Sequence, residues 1–143
     1  MAQNMLTGEY PSTIEDDATV TIPAPCQSLL ENHQIVIKRG FGNNHLVIHA
    51  PSSVEEIMKK LKKYPKKHTQ PIIRQTDARF VEVDQDYRFV VPEDLLPCIN
   101  RDKQLIWIGL GNRAELWNRE TLKMEDVKND LEMQKQKDKL LNS

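Results

Sequence analysis

The sequence predicts an α+β protein in which two similar β-rich halves share one core. Two segments with the same pattern lie 69 positions apart, and Ile14–Pro23 aligns with Val83–Pro92. Each copy reads as a strand, an acidic turn, a second strand and a closing proline, and more strand patterns and a helix follow each copy. Each half has too few strands to close a core alone. We therefore expect one pseudo-two-fold β-barrel with flanking helices.

The first half contains four strand patterns, because proline and glycine divide its apolar runs into short segments. These patterns occupy roughly residues 8–15, 19–22, 34–39 and 45–49. Apolar residues at helical spacing then predict a helix over 52–64, which Pro65 ends.

The second half repeats this plan. Its strand patterns occupy roughly residues 78–84, 88–91, 104–110 and 114–117. A helix is expected over 119–131, with a charged and solvated end beyond it. The expected divisions are a first half at 8–53, a helix and connector at 54–77, a second half at 78–121, and a C-terminal helix and charged tail at 122–143.

Composition excludes some classes of function but does not identify one. The net charge is −1, but residues 34–79 carry ten bases against three acids, whereas residues 1–33 carry five acids and no base. Cys26 and Cys98 are expected to be reduced core thiols rather than a disulfide. No catalytic triad or glycine-rich phosphate loop occurs, so we expect no enzyme, cofactor or small-molecule substrate. No segment predicts a membrane span, and we expect a cytoplasmic protein.

Three stretches of the chain together resemble one protein family. They are Met5–Tyr10, Ile35–Phe41 and Leu105–Trp117, of which the last is the most specific. They resemble the MraZ family, bacterial transcription regulators built from two AbrB-like swapped-hairpin halves. The resemblance implies a DNA-binding cyclic homo-oligomer, associated with the nucleoid, that recognises repeated promoter sites.

The family's functional signature is Asp-x-x-x-Arg in each half, usually with glycine before the arginine. The second copy keeps Asp84 and Arg88, with Tyr87 in place of the glycine. The first copy has Glu15 and Thr19 at the two signature positions, so its turn is degenerate. The resemblance therefore implies that Arg88 and Asp84 are the DNA-binding residues.

Physical chemistry supports this role for the second turn. An arginine at a turn apex can bind phosphate or a guanine edge with two hydrogen bonds, and an aspartate four residues earlier can hold the loop in shape. The alternative is an exposed Asp84–Arg88 ion pair of little consequence. The acidic first turn either repels phosphates or is an ordinary solvated turn.

Two further groups of residues are candidate binding sites. Lys59, Lys60 and Lys63 lie in a lysine run that either contacts phosphates or forms the solvated face of the first helix. His45 and His49 are four apart, but they lie in a strand pattern with no third ligand nearby, so we expect no metal site. Trp107 and Trp117 are expected in the core.

A different class of function remains open for this chain. The acidic first turn also fits a ring-forming scaffold or protein-binding module with degenerate DNA recognition. An antidote-type partner of another protein is a third hypothesis, and the lack of a long disordered inhibitory tail argues against it.

Overall fold

The computed structural model describes residues 5–61, 78–99 and 103–141, and its fold is α+β as predicted. The predicted connector falls largely outside these residues. The first half contains β1 (Leu6–Thr13), β2 (Thr19–Thr21), a 3₁₀ helix (Ala24–Leu29), β3 (Gln34–Arg39), β4 (Leu46–His49) and α1 (Pro51–Leu61). The second half contains β5 (Arg79–Glu82), β6 (Arg88–Val90), a 3₁₀ helix (Glu93–Cys98), β7 (Gln104–Gly111), β8 (Arg113–Asn118) and α2 (Arg119–Leu141).

The two halves exchange strands. Strand β1 of the first half pairs antiparallel with β7 of the second, and β5 of the second half pairs with β3 of the first. With β4 and β8 adjacent at the centre, the six-stranded sheet has the order β1-β7-β8-β4-β3-β5. This order is unchanged when it is read from the other end and the corresponding strands of the two halves are interchanged.

The strands form two sheets that do not close into the barrel we expected. Within the described residues, β2 and β6 form a separate two-stranded sheet in a register that places Val20 opposite Phe89, and Val20 also forms an isolated bridge with Ile14. Each of these strands is three residues long and begins at the end of an acidic turn, and neither joins the six-stranded sheet. The six-stranded sheet therefore remains open at both edges.

The core fills the space between the two sheets and the 3₁₀ helices. Trp107 is completely buried and meets the ring of Phe89 edge-to-face, with ring centroids 6.2 Å apart. Both cysteines are buried thiols, as predicted, and burial raises the pKa of Cys26 to about 11. Other core residues come from both halves, including Ile22, Ile35, Ile37, Leu46, Ile48, Leu95, Leu105 and Leu116.

The 3₁₀ helices were missing from the sequence prediction. Each begins directly after a proline, at Pro23 in the first half and Pro92 in the second. Each places two side chains in the core, Cys26 and Leu29 in one and Leu95 and Cys98 in the other. Short 3₁₀ turns are common connectors, and here they contribute these four side chains to the core.

Both α-helices of the described residues pack against the six-stranded sheet. Helix α1 contacts β3, and α2 contacts β7 and β8. Helix α1 begins one residue before the prediction, and the carboxylate of Glu31 accepts hydrogen bonds from the Ser52 N–H and hydroxyl at 2.7 and 2.8 Å. Helix α2 continues to Leu141, ten residues past the prediction. Its last three turns contain no glycine or proline and are rich in helix-forming residues. No helix within the described part of the chain could cross a membrane.

Candidate nucleic-acid interface

The second acidic turn is held by its own first residue. The Asp84 N–H donates to the Arg88 carbonyl at 2.9 Å, and the Tyr87 N–H donates to the Asp84 carbonyl at 3.1 Å. The Asp84 carboxylate also accepts hydrogen bonds from the N–H groups of Asp86 and Arg88, both at 2.9 Å. These four bonds fix the backbone immediately before β6. Asp84 thus has the geometry of the brace that the sequence predicted.

The Arg88 side chain is accessible at the end of this fixed turn. Its side chain is 45% exposed, and its guanidinium lies 3.4 Å from Asp84 Oδ2 and 3.3 Å from Asp86 Oδ2. Hydrogen bonds from the backbone N–H groups of Arg88 and Asp86 lower the pKa of Asp84 below its ordinary value. The charge of Arg88 lowers it further. Both ion pairs face solvent, and such pairs contribute little. The guanidinium can therefore exchange its carboxylate partners for another anion.

The first turn has the same backbone design with a different brace. The Glu15 N–H donates to the Thr19 carbonyl, and the Ala18 N–H donates to the Glu15 carbonyl, both at 2.9 Å. The side-chain acceptor is Asp17, which bonds the Thr19 N–H at 3.1 Å. Hydrogen bonds from Thr19 lower the pKa of Asp17. In the first turn Asp17 thus has part of the role that Asp84 has in the second turn.

The two turns lie side by side. The Ile22 N–H donates to the Tyr87 carbonyl at 2.8 Å, and the Val91 N–H donates to the Ala18 carbonyl at 3.0 Å. The charge of Arg88 contributes to the lowered pKa of Asp17. One surface of the protein therefore carries both the arginine turn and the acidic turn, which we call the turn face and define as residues 15–19 and 84–88.

Relatives of the chain are transcription regulators by name. The chain is 32% identical over 118 residues to Transcriptional regulator MraZ of Treponema denticola, a match that covers 79% of this chain and 81% of that protein. It is also 32% identical over 120 residues to proteins of the same name from Caldanaerobacter subterraneus subsp. tengcongensis and Thermoanaerobacter sp., covering 81% of this chain and 82% of each relative. The chain belongs to the MraZ family. No protein-family model matches it.

One cation that contacts the turn face of this MraZ-family protein, Lys103, was not identified from the sequence. The Lys103 ammonium pairs with Asp16 at 2.6 Å, and this contact raises the pKa of Lys103. Lys103 reaches the first turn because the Ile14 N–H donates to its carbonyl. A pairing between the two halves creates this contact, so the local sequence around either residue gives no signal of it.

The structure places only part of the predicted lysine surface of the MraZ-family chain. Lys59 is exposed on α1. Lys60 also belongs to α1, whereas Lys63 lies outside the described residues. Phosphate contact by these lysines stays a prediction.

The two histidines of β4 and its preceding turn have packing roles. The His45 ring stacks on Trp117 at 4.2 Å, and its Nε2 lies 3.4 Å from a Glu115 carboxylate oxygen. Burial lowers the pKa of His45, and the charge of Glu115 opposes this. Burial and the charges of Lys38 and Arg113 lower the pKa of His49 to about 4. Within residues 5–61, 78–99 and 103–141, no group of three or more acidic, histidine or cysteine side chains could hold a metal ion.

Proposed function

We propose that this MraZ-family protein is a transcription regulator that binds repeated promoter sites in DNA through the Asp84–Arg88 turn. The observation that carries the proposal is a half-exposed guanidinium at the end of a turn that its own aspartate holds rigid. The names of the relatives support the regulatory role. Those names describe regulators rather than enzymes.

The chemistry of Arg88 suits a nucleic-acid ligand. Its planar guanidinium can donate two parallel hydrogen bonds to a phosphate or to the O6 and N7 atoms of guanine. The backbone hydrogen bonds to Asp84 hold the turn before DNA arrives, so little ordering is needed on binding. Exchange of the two solvent-facing carboxylate contacts for a DNA anion leaves the turn backbone in place.

A single turn offers few contacts, so the proposal includes a cyclic homo-oligomer that presents the turn many times. Linked sites bind repeated DNA elements more tightly than one site does, because the later contacts are made within one complex. We place the protein in the cytoplasm, associated with the nucleoid. Lys59, which is exposed on α1, would add a phosphate contact that does not depend on sequence.

The first half contributes less to DNA contact under this proposal. Thr19 replaces the arginine of the signature, and Glu15, Asp16 and Asp17 bring negative charge to the same turn face. Lys103 neutralises part of that charge by pairing with Asp16. The second turn should therefore dominate recognition.

The test is binding of Arg88→Ala to tandem repeats from the DNA upstream of the protein's own gene. We expect affinity to fall by about tenfold or more, with the oligomer unchanged by size-exclusion chromatography and light scattering. Arg113→Ala is the matched control, since Arg113 is also exposed but lies on β8, away from the turn face. Equal binding by the Arg88 variant and wild type in a salt titration would refute the proposal.

A ring-forming scaffold or protein-binding module with degenerate DNA recognition is the alternative function. The acidic turn beside Arg88 favours it, because this turn already supplies negative charge to the arginine. Binding to heparin and to bulk DNA at low salt separates the two functions. A DNA regulator binds both polyanions, whereas a scaffold without DNA recognition binds neither.

A further inference from the structure

Tyr87 occupies a backbone position that favours glycine. Its φ angle is +62°, in the left-handed region, where a side chain crowds the backbone. Its N–H donates to Asp84 and its carbonyl accepts from Ile22, so hydrogen bonds fix the residue on both sides. The fold thus holds a large aromatic residue in a strained conformation, directly before Arg88.

The equivalent residue of the first turn shows what is unusual about Tyr87. Ala18 has nearly the same φ angle, +66°, but its small side chain packs against the core. Tyr87 is 41% exposed and lies outside the buried cluster. Burial therefore offsets little of the strain at Tyr87. Strained positions of this kind concentrate at binding sites, where the conformation serves the ligand.

We propose that Tyr87 is a specificity-determining residue of the DNA interface, and that its ring packs against the methyl group of a thymine beside the group that Arg88 binds. This inference rests on the proposed function. Adjacent Cα atoms are about 3.8 Å apart, and successive bases rise by about 3.4 Å. Neighbouring side chains can thus reach neighbouring bases. The thymine methyl is an apolar group in the major groove, where an aromatic ring can contact it.

The test removes each partner of this contact separately. The full-length protein is titrated with the tandem-repeat duplex and with the same duplex in which deoxyuridine, which lacks the methyl group, replaces thymidine. Wild type should lose about tenfold in affinity on this replacement. Tyr87→Gly should bind both duplexes equally, with the affinity that wild type has for the deoxyuridine duplex. Tyr87→Phe keeps the ring and should behave like wild type.

Two controls separate folding and general DNA binding from this contact. Tyr87→Gly should melt at or above the wild-type temperature, because glycine adopts φ +62° without strain. Its affinity for an unrelated duplex should stay within about twofold of wild type, since phosphate contacts carry non-specific binding.

The outcomes also separate this inference from the proposed function. If wild type and Tyr87→Gly lose the same factor on removal of the methyl groups, Tyr87 does not contact thymine. If Tyr87→Phe falls as far as Tyr87→Gly, the hydroxyl makes the contact and the ring proposal is wrong. Indifference of DNA binding to Arg88→Ala would instead overturn the proposed function itself.

Discussion

The carboxylate of Asp84 bonds the backbone and the side chain of Arg88 at once. Its Oδ1 accepts the Arg88 N–H at 2.9 Å, and its Oδ2 lies 3.4 Å from the guanidinium Nε. The first bond shapes the turn, whereas the second competes with any anion that Arg88 binds. Asp84 therefore has two opposed effects on an anionic ligand, and substitutions can separate them.

Asp84→Asn should retain DNA binding, and Asp84→Ala should lose it. The asparagine oxygen can still accept the backbone N–H groups, and removal of the negative charge releases the guanidinium. Alanine removes the acceptor, so the turn loosens and we expect affinity to fall about tenfold. Fluorescence anisotropy with the promoter repeats measures the DNA affinity of both variants. Asp86→Asn is the control, since it weakens an ion pair and spares the Arg88 N–H bond. Equal loss in both Asp84 variants would show that charge, not turn shape, matters.

The first turn should gain affinity for DNA when it acquires the second turn's chemistry. In Thr19→Arg with Asp17→Asn, a guanidinium is added and a negative charge removed, while the asparagine oxygen can still accept the residue 19 N–H. We expect about a tenfold gain at low salt, with a steeper salt dependence because more phosphates are contacted. Thr19→Lys with Asp17→Asn adds the same charge without the planar fork. Unchanged affinity in both variants would mean that the first turn does not face DNA.

Gly109→Ala should weaken the pairing between the two halves. A Cβ atom at this position would lie 2.7 Å from Leu6 Cγ and 2.8 Å from the Leu6 carbonyl carbon, so β1 would have to move away from β7. Overpacking of this kind costs about 1–3 kcal/mol. Urea unfolding at fixed protein concentration measures it. Leu110→Ala, at an exposed neighbouring position, should change stability by less than about 0.5 kcal/mol. Similar stabilities for the two variants would contradict the close approach.

Because the pKa of His49 is low, the folded protein should be less stable in mild acid than at neutral pH. The unfolded chain takes up a proton near pH 6.5, whereas folded His49 takes it up only near pH 4, so stability is lost as pH falls between these values. Because His49 is partly exposed, we expect a loss of about 1–2 kcal/mol. Urea unfolding at pH 7.5 and 4.5 should show a smaller loss in His49→Gln. His33→Asn, an exposed histidine with left-handed backbone, should lose as much stability as wild type.

Within the part of the chain that the structure describes, the similarity of the two segments was enough to predict eight strands, two α-helices and the positions of the two turns. It could not predict which strands pair. Strand β1 bonds to β7 rather than to a strand of its own half, and that choice depends on how the halves pack. The 3₁₀ helices after Pro23 and Pro92 have the same composition as loops, so periodicity gives no signal for them.

The second turn was more predictable from sequence than the first. Asp84 and Arg88 are four residues apart within one turn, and local geometry brings them together. In the first turn three consecutive acids could supply the brace, and only coordinates distinguish Asp17 from Glu15 as the acceptor. The ion pair of Asp16 with Lys103 depends on contact between the halves, which the repeat alone does not describe.

Because β1 and β5 each pair with a strand of the other half, positions in these strands are less free to change than positions in the two turns. A substitution in an exchanged strand disturbs both halves together, so their shared interior must stay compatible. A side chain of the turn face that is exposed, such as Arg88, meets mainly water, and its substitution costs little folding energy. The two turns can therefore differ in charge, with acids in one and an arginine in the other, although residues of both halves share one core.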